Sequence, residues 1–414
     1  MAGKKAAAAT REDRWGYPLR TSSDACVCAI ESFYDQVLSY GRSRAIILEA
    51  PRHDPTCILG NVLAAHFLAS ADPPRASSLL SAAAAALESG TSYEKAVYEA
   101  VVPLVGDCRD EEMALSRHLE LLKEYPKDLV SLKRAQVICF YMGLPHLSLR
   151  IVEQALPANQ GCSYVYGMLA FPLLELGRMV EAERAARRGL EVNGSDIWSQ
   201  HCYNCHFKEA VEFMEACSST WNSCSSFMYT HNWWHVAVCY LEGNAPVDKA
   251  LEIYDKKIWG ELQRSDSDQA EVYLNALGLL LRLDARGKIG DHKHRVLSAA
   301  EKLKDKLAEA TYEYGKGNYQ KVMEILGLEF DAIDFKMIGA SDEQLDVFNE
   351  IFFRVLLNTG NASKAIDHIQ RHIKKREGSP HLWRLLEEAY EMDGKGDAGA
   401  AAEKAKALEM TYFN

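Results

Sequence analysis

A leucine returns at a fixed interval, at Leu122, Leu156 and Leu190. Gly143 and Gly177 keep the same spacing. Each glycine closes one run of helical apolar periodicity and precedes another. Ala182 follows Gly177 as a small residue where two paired helices would touch, and Asn193-Gly194-Ser195-Asp196 then breaks the chain. A recurrence of this kind narrows the possible folds sharply. One helix pair cannot bury its apolar side alone, so successive pairs must stack and share a continuous core.

The interval, about 34 residues per helix-turn-helix unit, is that of tetratricopeptide repeats (TPRs). The expected fold class is therefore all-α, a TPR-like right-handed α-solenoid of antiparallel helix pairs. At ~34 to 40 residues per pair the chain holds about nine to eleven of them. Strand-like alternation is nearly absent. Ser22 or Ser23 can cap a first helix running to Tyr40. Asp54-Pro55 reads as an N-cap followed by the first residue of a helix. Pro73-Pro74 separates that helix from an alanine-rich one over 76–87, and a further helix spans 91–105. Gly243 (with Ala250 and Tyr254 behind it), Gly317-Asn318-Tyr319 and Gly360-Asn361 read as diverged turns of the same kind, and 380–408 as a last pair. The expected organisation is a disordered tail (1–13), an N-terminal helical segment of the solenoid (14–107), TPR-like repeats (108–260) and C-terminal TPR-like repeats (261–414).

The period stumbles once. After Ala182 the next small residue is due at 216, but the match in FKEAVEFM is Ala210, six residues early. The loss falls between Asp196 and Phe207. Six residues are about 9 Å of helix. The segment 196–207 should therefore be irregular or a short helix, and weaker than its neighbours.

The next stretch, FMYTHNWWHVAVCYLEG over 227–243, carries the chemistry. On a helix, His231, Trp234, His235 and Val238 share one side, and Trp233, Ala237 and Tyr240 a second. It is the first helix of its pair, and first helices line the concave face of such an array. The expected ligand-binding residues are therefore His201, His231, Asn232, Trp233, Trp234 and His235. Histidines at i, i+4 can clamp one metal ion. A third ligand would have to come from another helix, with His201 the candidate, and HNWWH lacks the glutamate of HExxH. In the packing reading, the imidazoles bond to neighbouring helices and the indoles fill the core. The expectation is no tight metal site and no cofactor. Cys202-x-x-Cys205-His206 matches a haem-attachment pattern but has no exporting signal, no second CxxC at zinc-finger spacing and no βαβ context for a redox dithiol.

Composition excludes several classes. The net charge is −11 with no long basic run, which argues against nucleic-acid binding through phosphate contacts. No apolar run reaches ~18 residues, so no membrane span is expected. Eleven cysteines, scattered through helical text, read as reduced thiols in the cytoplasm. Two functions stay open. One is a binding or scaffold module holding a peptide or small ligand in a concave groove. The other is a metabolic enzyme, a metal-assisted hydrolase or acid–base catalyst, using the His/Trp-lined pocket.

Four stretches, WGYPLRTSSDACVCAIESFYDQVL, DPTCILGNVLAAHF, SYVYGMLAFPLLELGRMVEAERAARRGLEVN and FMYTHNWWHVAVCYLEG, resemble the tetratricopeptide repeat protein 38 family and its plant and bacterial relatives. The resemblance runs from about residue 14 to beyond 371. Its most specific part is HN-aromatic-WH, matched by His231, Asn232, Trp233, Trp234 and His235. It implies a TPR-like α-helical protein and assigns no activity. The family's H-x-x-x-H pattern keeps His201 here, whereas Cys205 stands at the second histidine. The resemblance thus implies a four-histidine pocket in the family and a depleted one in this chain.

Overall fold

Helices begin where a short polar side chain can take up the first free N–H groups. The computed structural model describes residues 10–106, 109–202, 207–243, 245–267, 269–303, 306–338, 340–394 and 397–410. The first long helix, α1 (Asp24–Leu38), is capped by Ser23, whose Oγ accepts from the Cys26 N–H at 3.1 Å. A small antiparallel hairpin precedes it, β1 (Thr10–Glu12) against β2 (Pro18–Arg20), with Thr10 opposite Arg20. The first strand thus lies inside the stretch read as tail.

Asp54 does not open a helix. Its carboxylate accepts the Thr56 N–H at 2.9 Å and the Thr21 hydroxyl at 2.6 Å, which closes a turn after the short α2 (Ala50–His53). An Asx turn and an N-cap use the same side chain, and here the turn prevails. Helix α3 (Ile58–Leu68) starts three residues beyond Pro55, capped by Cys57. Pro73 and Pro74 form the first turn of α4 (Pro73–Ala86) behind the Asp72 cap, a place where the missing N–H costs nothing. Thr91 and Glu94 form a reciprocal capping box on α5 (Ser92–Val101).

The chain divides into two compact units, 1–203 and 204–414. The first unit continues with α6 (Glu111–Glu124), α7 (Leu129–Tyr141), α8 (Pro145–Asn159), α9 (Tyr164–Glu175), α10 (Met179–Val192) and α11 (Ile197–Cys202). The second contains α12 (Phe207–Cys217), α13 (Ser226–Glu242), α14 (Val247–Ile253), α15 (Ala270–Ala285), α16 (His294–Ala300), α17 (Lys306–Gly315), α18 (Tyr319–Leu326), α19 (Asp342–Asn358), α20 (Ala362–Lys375), α21 (Pro380–Asp393) and α22 (Ala398–Glu409). Within each unit most consecutive helices pack on each other, so the fold is all-α and built of TPR-like helix pairs. Among the described residues the hairpin is the sole β-sheet, and no helix is long and apolar enough to cross a membrane.

The repeat shows in its turns. Gly143, Gly177, Gly287, Gly317 and Gly360 all have φ between 65° and 81°. In each case the next N–H reaches back five residues: Leu144 to Cys139, Arg178 to Leu173, Lys288 to Leu283, Asn318 to Glu313 and Asn361 to Leu356, at 2.8–2.9 Å. This left-handed closure satisfies the last helical carbonyls, and glycine enters it without a Cβ clash.

The shortfall is visible in the helix starts. Helices α8 and α10 begin one full period apart, at Pro145 and Met179, whereas α12 begins at Phe207 instead of position 213. Helix α11 has six residues and every one is buried. It is regular, and it is firmly held. Asp196 Oδ1 accepts the Trp198 and Ser199 N–H groups at 3.1 and 3.3 Å, and the Gln200 side-chain amide donates to the Gly194 carbonyl at 2.8 Å. Packing is close here, because a Cβ on Gly189 would fall 2.1 Å from Ser199 Oγ, and one on Gly167 3.1 Å from the Ser199 backbone nitrogen. Residues 197–202 thus form a short helix, one of the two outcomes expected for 196–207. Residues 203–206, including Cys205 and His206, lie outside the described residues.

Candidate functional site

Helix α13 carries five of the six residues singled out from sequence, and all five are buried. The sixth, His201, is buried on α11 of the first unit. Around α13 the second unit supplies α12, α14 and α15, and the N-terminus of α19 brings Glu343 and Gln344 to the same place.

Hydrogen bonds fix where the protons sit. Thr230 Oγ1 donates to the Ser226 carbonyl at 2.8 Å, so it must accept from Asn275 Nδ2, at 3.0 Å. Gln344 belongs to the capping box of α19, and its Oε1 accepts the Ser341 N–H at 2.9 Å. Its Nε2 therefore donates to Asn275 Oδ1, at 2.8 Å. Both constraints turn the Asn275 oxygen toward His231 Nδ1, 3.0 Å away. His231 must then carry its hydrogen on Nδ1. Its Nε2 accepts, and it faces His235 Nε2 at 3.3 Å.

Packing locks both rings. Phe227 stacks with His231 at 5.5 Å and 19°, and Trp234 stacks with it at 5.8 Å and 7°. Trp234 also meets His235 edge-on at 5.0 Å and 79°. Burial lowers the pKa of His231, with the Asn275 bond opposing it. Burial, then His231 and Arg282, hold His235 well below the ordinary histidine value. Glu343 lies 3.6 Å from His235 Nδ1, which would make an ion pair if the ring were charged. That distance is too long for a good hydrogen bond, and Glu343 is 38% exposed, so burial prevails and both rings are neutral.

Behind the pair stands a buried charge cluster. Arg286 donates to Glu350 at 2.8 Å and to Glu242 at 2.5 Å, and Arg282 to Glu350 at 3.3 Å. Burial alone would raise the Glu350 pKa, but Arg286 and Arg282 override it and hold the carboxylate below its usual range. Arg282 also donates to the Glu343 carbonyl, which anchors the α19 N-terminus beside the histidines.

The remaining residues of the motif behave differently. Trp233 turns to a second side, edge-on to Trp221 at 5.1 Å with Lys257 over its face at 4.9 Å. The Asn232 amide is buried, and both its oxygen and its nitrogen lack a hydrogen-bond partner among the described residues. The same is true of the indole N–H groups of Trp233 and Trp234. A buried polar group left unmatched costs about 1–3 kcal/mol. Four such atoms on three successive residues are not what a core helix carries.

Asn275, Glu343 and Gln344 are site residues that the sequence reading missed. Asn275 and Gln344 left traces. Asn275 is an amide inside the apolar run VYLNALGLLL, and Ser341-x-x-Gln344 is a capping-box pattern. Glu343 sits within that pattern with no signal of its own.

The helices define a TPR-like helix-pair protein. No family model matches the chain. Solved structures similar to it include the human IFIT1 dimer with m7Gppp-AAAA, at 12% identity and TM-score 0.42, covering 95% of this chain and 91% of that one. The TPR domain of P58(IPK) is similar at 15% identity and TM-score 0.22 over 78% of this chain and 99% of that one. Naa15/Naa10 bound to HypK-THB gives 15% identity and TM-score 0.27, with 93% and 63% covered. Likeness at this level assigns no ligand to the present chain.

Proposed function

We propose that this chain is a cytosolic TPR-like binding module that holds a peptide or small ligand against α13. The unspent hydrogen bonds of Asn232, Trp233 and Trp234 carry this reading. A ligand with one amide-like group and two further acceptors would satisfy them, and folding alone leaves them unmet. Membership of the tetratricopeptide repeat protein 38 family is part of the proposal, and the HNWWH residues support it.

The test separates binding from packing. Tagged wild type and Asn232→Leu would be incubated with cell extract, washed, and eluted for mass spectrometry of peptides, metabolites and RNA. The variant should be at least as stable as wild type, because it removes an unmatched buried amide. It should also lose the enriched ligand. Equal enrichment by both proteins would sink the proposal. RNA as the enriched species would contradict the charge argument and replace the ligand class. A metabolite chemically altered by wild type would move the reading to an enzyme.

A further inference from the structure

We propose that His231 and His235 ligate a zinc ion through their Nε2 atoms. The inference rests on the reading of α13 as a binding face, and it names one component of what binds there. Residue spacing alone favours no tight metal site, and the geometry of the pair reverses that expectation.

Two imidazoles on a tetrahedral zinc, each with Zn–N of about 2.0–2.1 Å, hold their nitrogens about 3.3 Å apart. The two Nε2 atoms are 3.3 Å apart. The rings are inclined at 74°, so the two nitrogens converge from different directions instead of stacking.

His231 also has an outer partner on its other nitrogen, as metal-binding histidines do. His231 Nδ1–H donates to Asn275 Oδ1, and that oxygen is held in place by Gln344 and Thr230. His235 Nδ1 faces Glu343. Phe227 and Trp234 fix the first ring, and Trp234 the second, so little order has to be created on binding.

Without metal, His235 Nε2–H donates to His231 Nε2. With metal, both Nε2 atoms present lone pairs, and the His235 hydrogen resides on Nδ1 facing Glu343. Both rings stay neutral and no proton leaves the protein. Asn275 and Glu343 act as positioning residues. The other coordination positions would be filled by water or by a ligand with an oxygen, nitrogen or sulfur donor. Imidazole ligation suits zinc over magnesium or calcium.

The experiment uses the full chain, purified without a metal-affinity column, stripped with chelator and titrated with zinc chloride. Wild type should bind close to one equivalent that survives dialysis. His231→Gln/His235→Gln should bind none at this site. Asn275→Leu should bind about 10–100-fold more weakly while keeping both ligands. Imidazole nitrogen NMR on wild type needs no variant: zinc should move the His235 hydrogen from Nε2 to Nδ1 and leave His231 protonated on Nδ1. An unchanged His235 tautomer at saturating zinc, or equal binding by the double variant, overturns the proposal. Failure to bind zinc together with capture of a ligand in the extract assay would sink the metal and leave the binding module standing.

Discussion

Acid should weaken the first unit through His118, and the size of the effect can be worked out. His118 lies on α6 and is fully buried. Its Nδ1 is 2.7 Å from the Ala114 carbonyl, so that nitrogen carries the hydrogen. Its Nε2 faces Arg134 Nη1 at 3.3 Å and accepts from it. A second proton would have to sit on Nε2, against a guanidinium. Burial, and then Arg134, push the pKa down to about 3, with the Ala114 bond opposing them. In the unfolded chain the ring returns to about 6.5. The unfolded state therefore binds more protons, and stability falls as pH drops through 6.5 toward 3. Between pH 7.5 and 5.5 the unfolded chain gains about 1.4 kcal/mol from this one ring. Asp13 works the other way. Burial raises its pKa to about 6, so protonation in the folded state returns about 0.8 kcal/mol over the same interval. That offset cancels when wild type is compared with His118→Gln at each pH. Urea unfolding followed by circular dichroism should therefore show wild type losing more stability than the variant between pH 7.5 and 5.5, by about 1.4 kcal/mol. Identical pH dependence in the two proteins would refute the assignment of a neutral, Arg134-blocked ring.

Three further outcomes follow from packing and charge. Ala182 is fully buried between paired helices, so Ala182→Leu should cost about 1–3 kcal/mol in urea unfolding, and an unchanged midpoint would contradict the repeat register. Glu350→Gln removes one carboxylate facing Arg282 and Arg286 and should destabilise by about 3–5 kcal/mol, whereas a loss under about 1 kcal/mol would mean the arginines find other partners. Hydrogen exchange at residues 200–202 of α11 should be as slow as in the middle of α9, given the Asp196 cap and the close contact at Gly189. Fast exchange there would support the weak-segment reading.

The parts of the fold that were legible in sequence are those where one residue type is forced. Gly143 and Gly177 mark their turns because the closing residue needs positive φ, and only glycine takes it cheaply. The period was therefore readable, and so was the shortfall before α12. Asp54 was misread because a turn and a cap draw on the same carboxylate, and the choice depends on Thr21, 33 residues away. The site was half legible for a related reason. Helical spacing places His231 and His235 on one side of α13, but not the partner of that side. Asn275 is 44 residues from His231, and Gln344 is 69 from Asn275. Each left a local trace, and no local trace records that they meet.

That meeting makes one conservative substitution informative. Gln344→Glu keeps the size of the side chain, and the new carboxylate can still accept the Ser341 N–H that Gln344 Oε1 accepts now. Its other oxygen, however, replaces the Nε2 donor facing Asn275 Oδ1. Two acceptors then oppose each other in a buried place, which costs about 1–3 kcal/mol unless Asn275 turns over. Turning Asn275 presents its NH2 to the carboxylate and to His231 Nδ1, and lets Thr230 donate to the Asn275 oxygen in place of the Ser226 carbonyl. His231 Nδ1 must then accept, so its hydrogen moves to Nε2, opposite His235. One oxygen-for-nitrogen exchange at the cap of α19 should thus reverse the tautomer of a histidine on α13. Imidazole nitrogen NMR should find His231 protonated on Nδ1 in wild type and on Nε2 in the variant, both at pH 7.5. A His231 hydrogen that stays on Nδ1 in the variant would show that Asn275 is not oriented by Gln344, and the proton assignments built on it would fall.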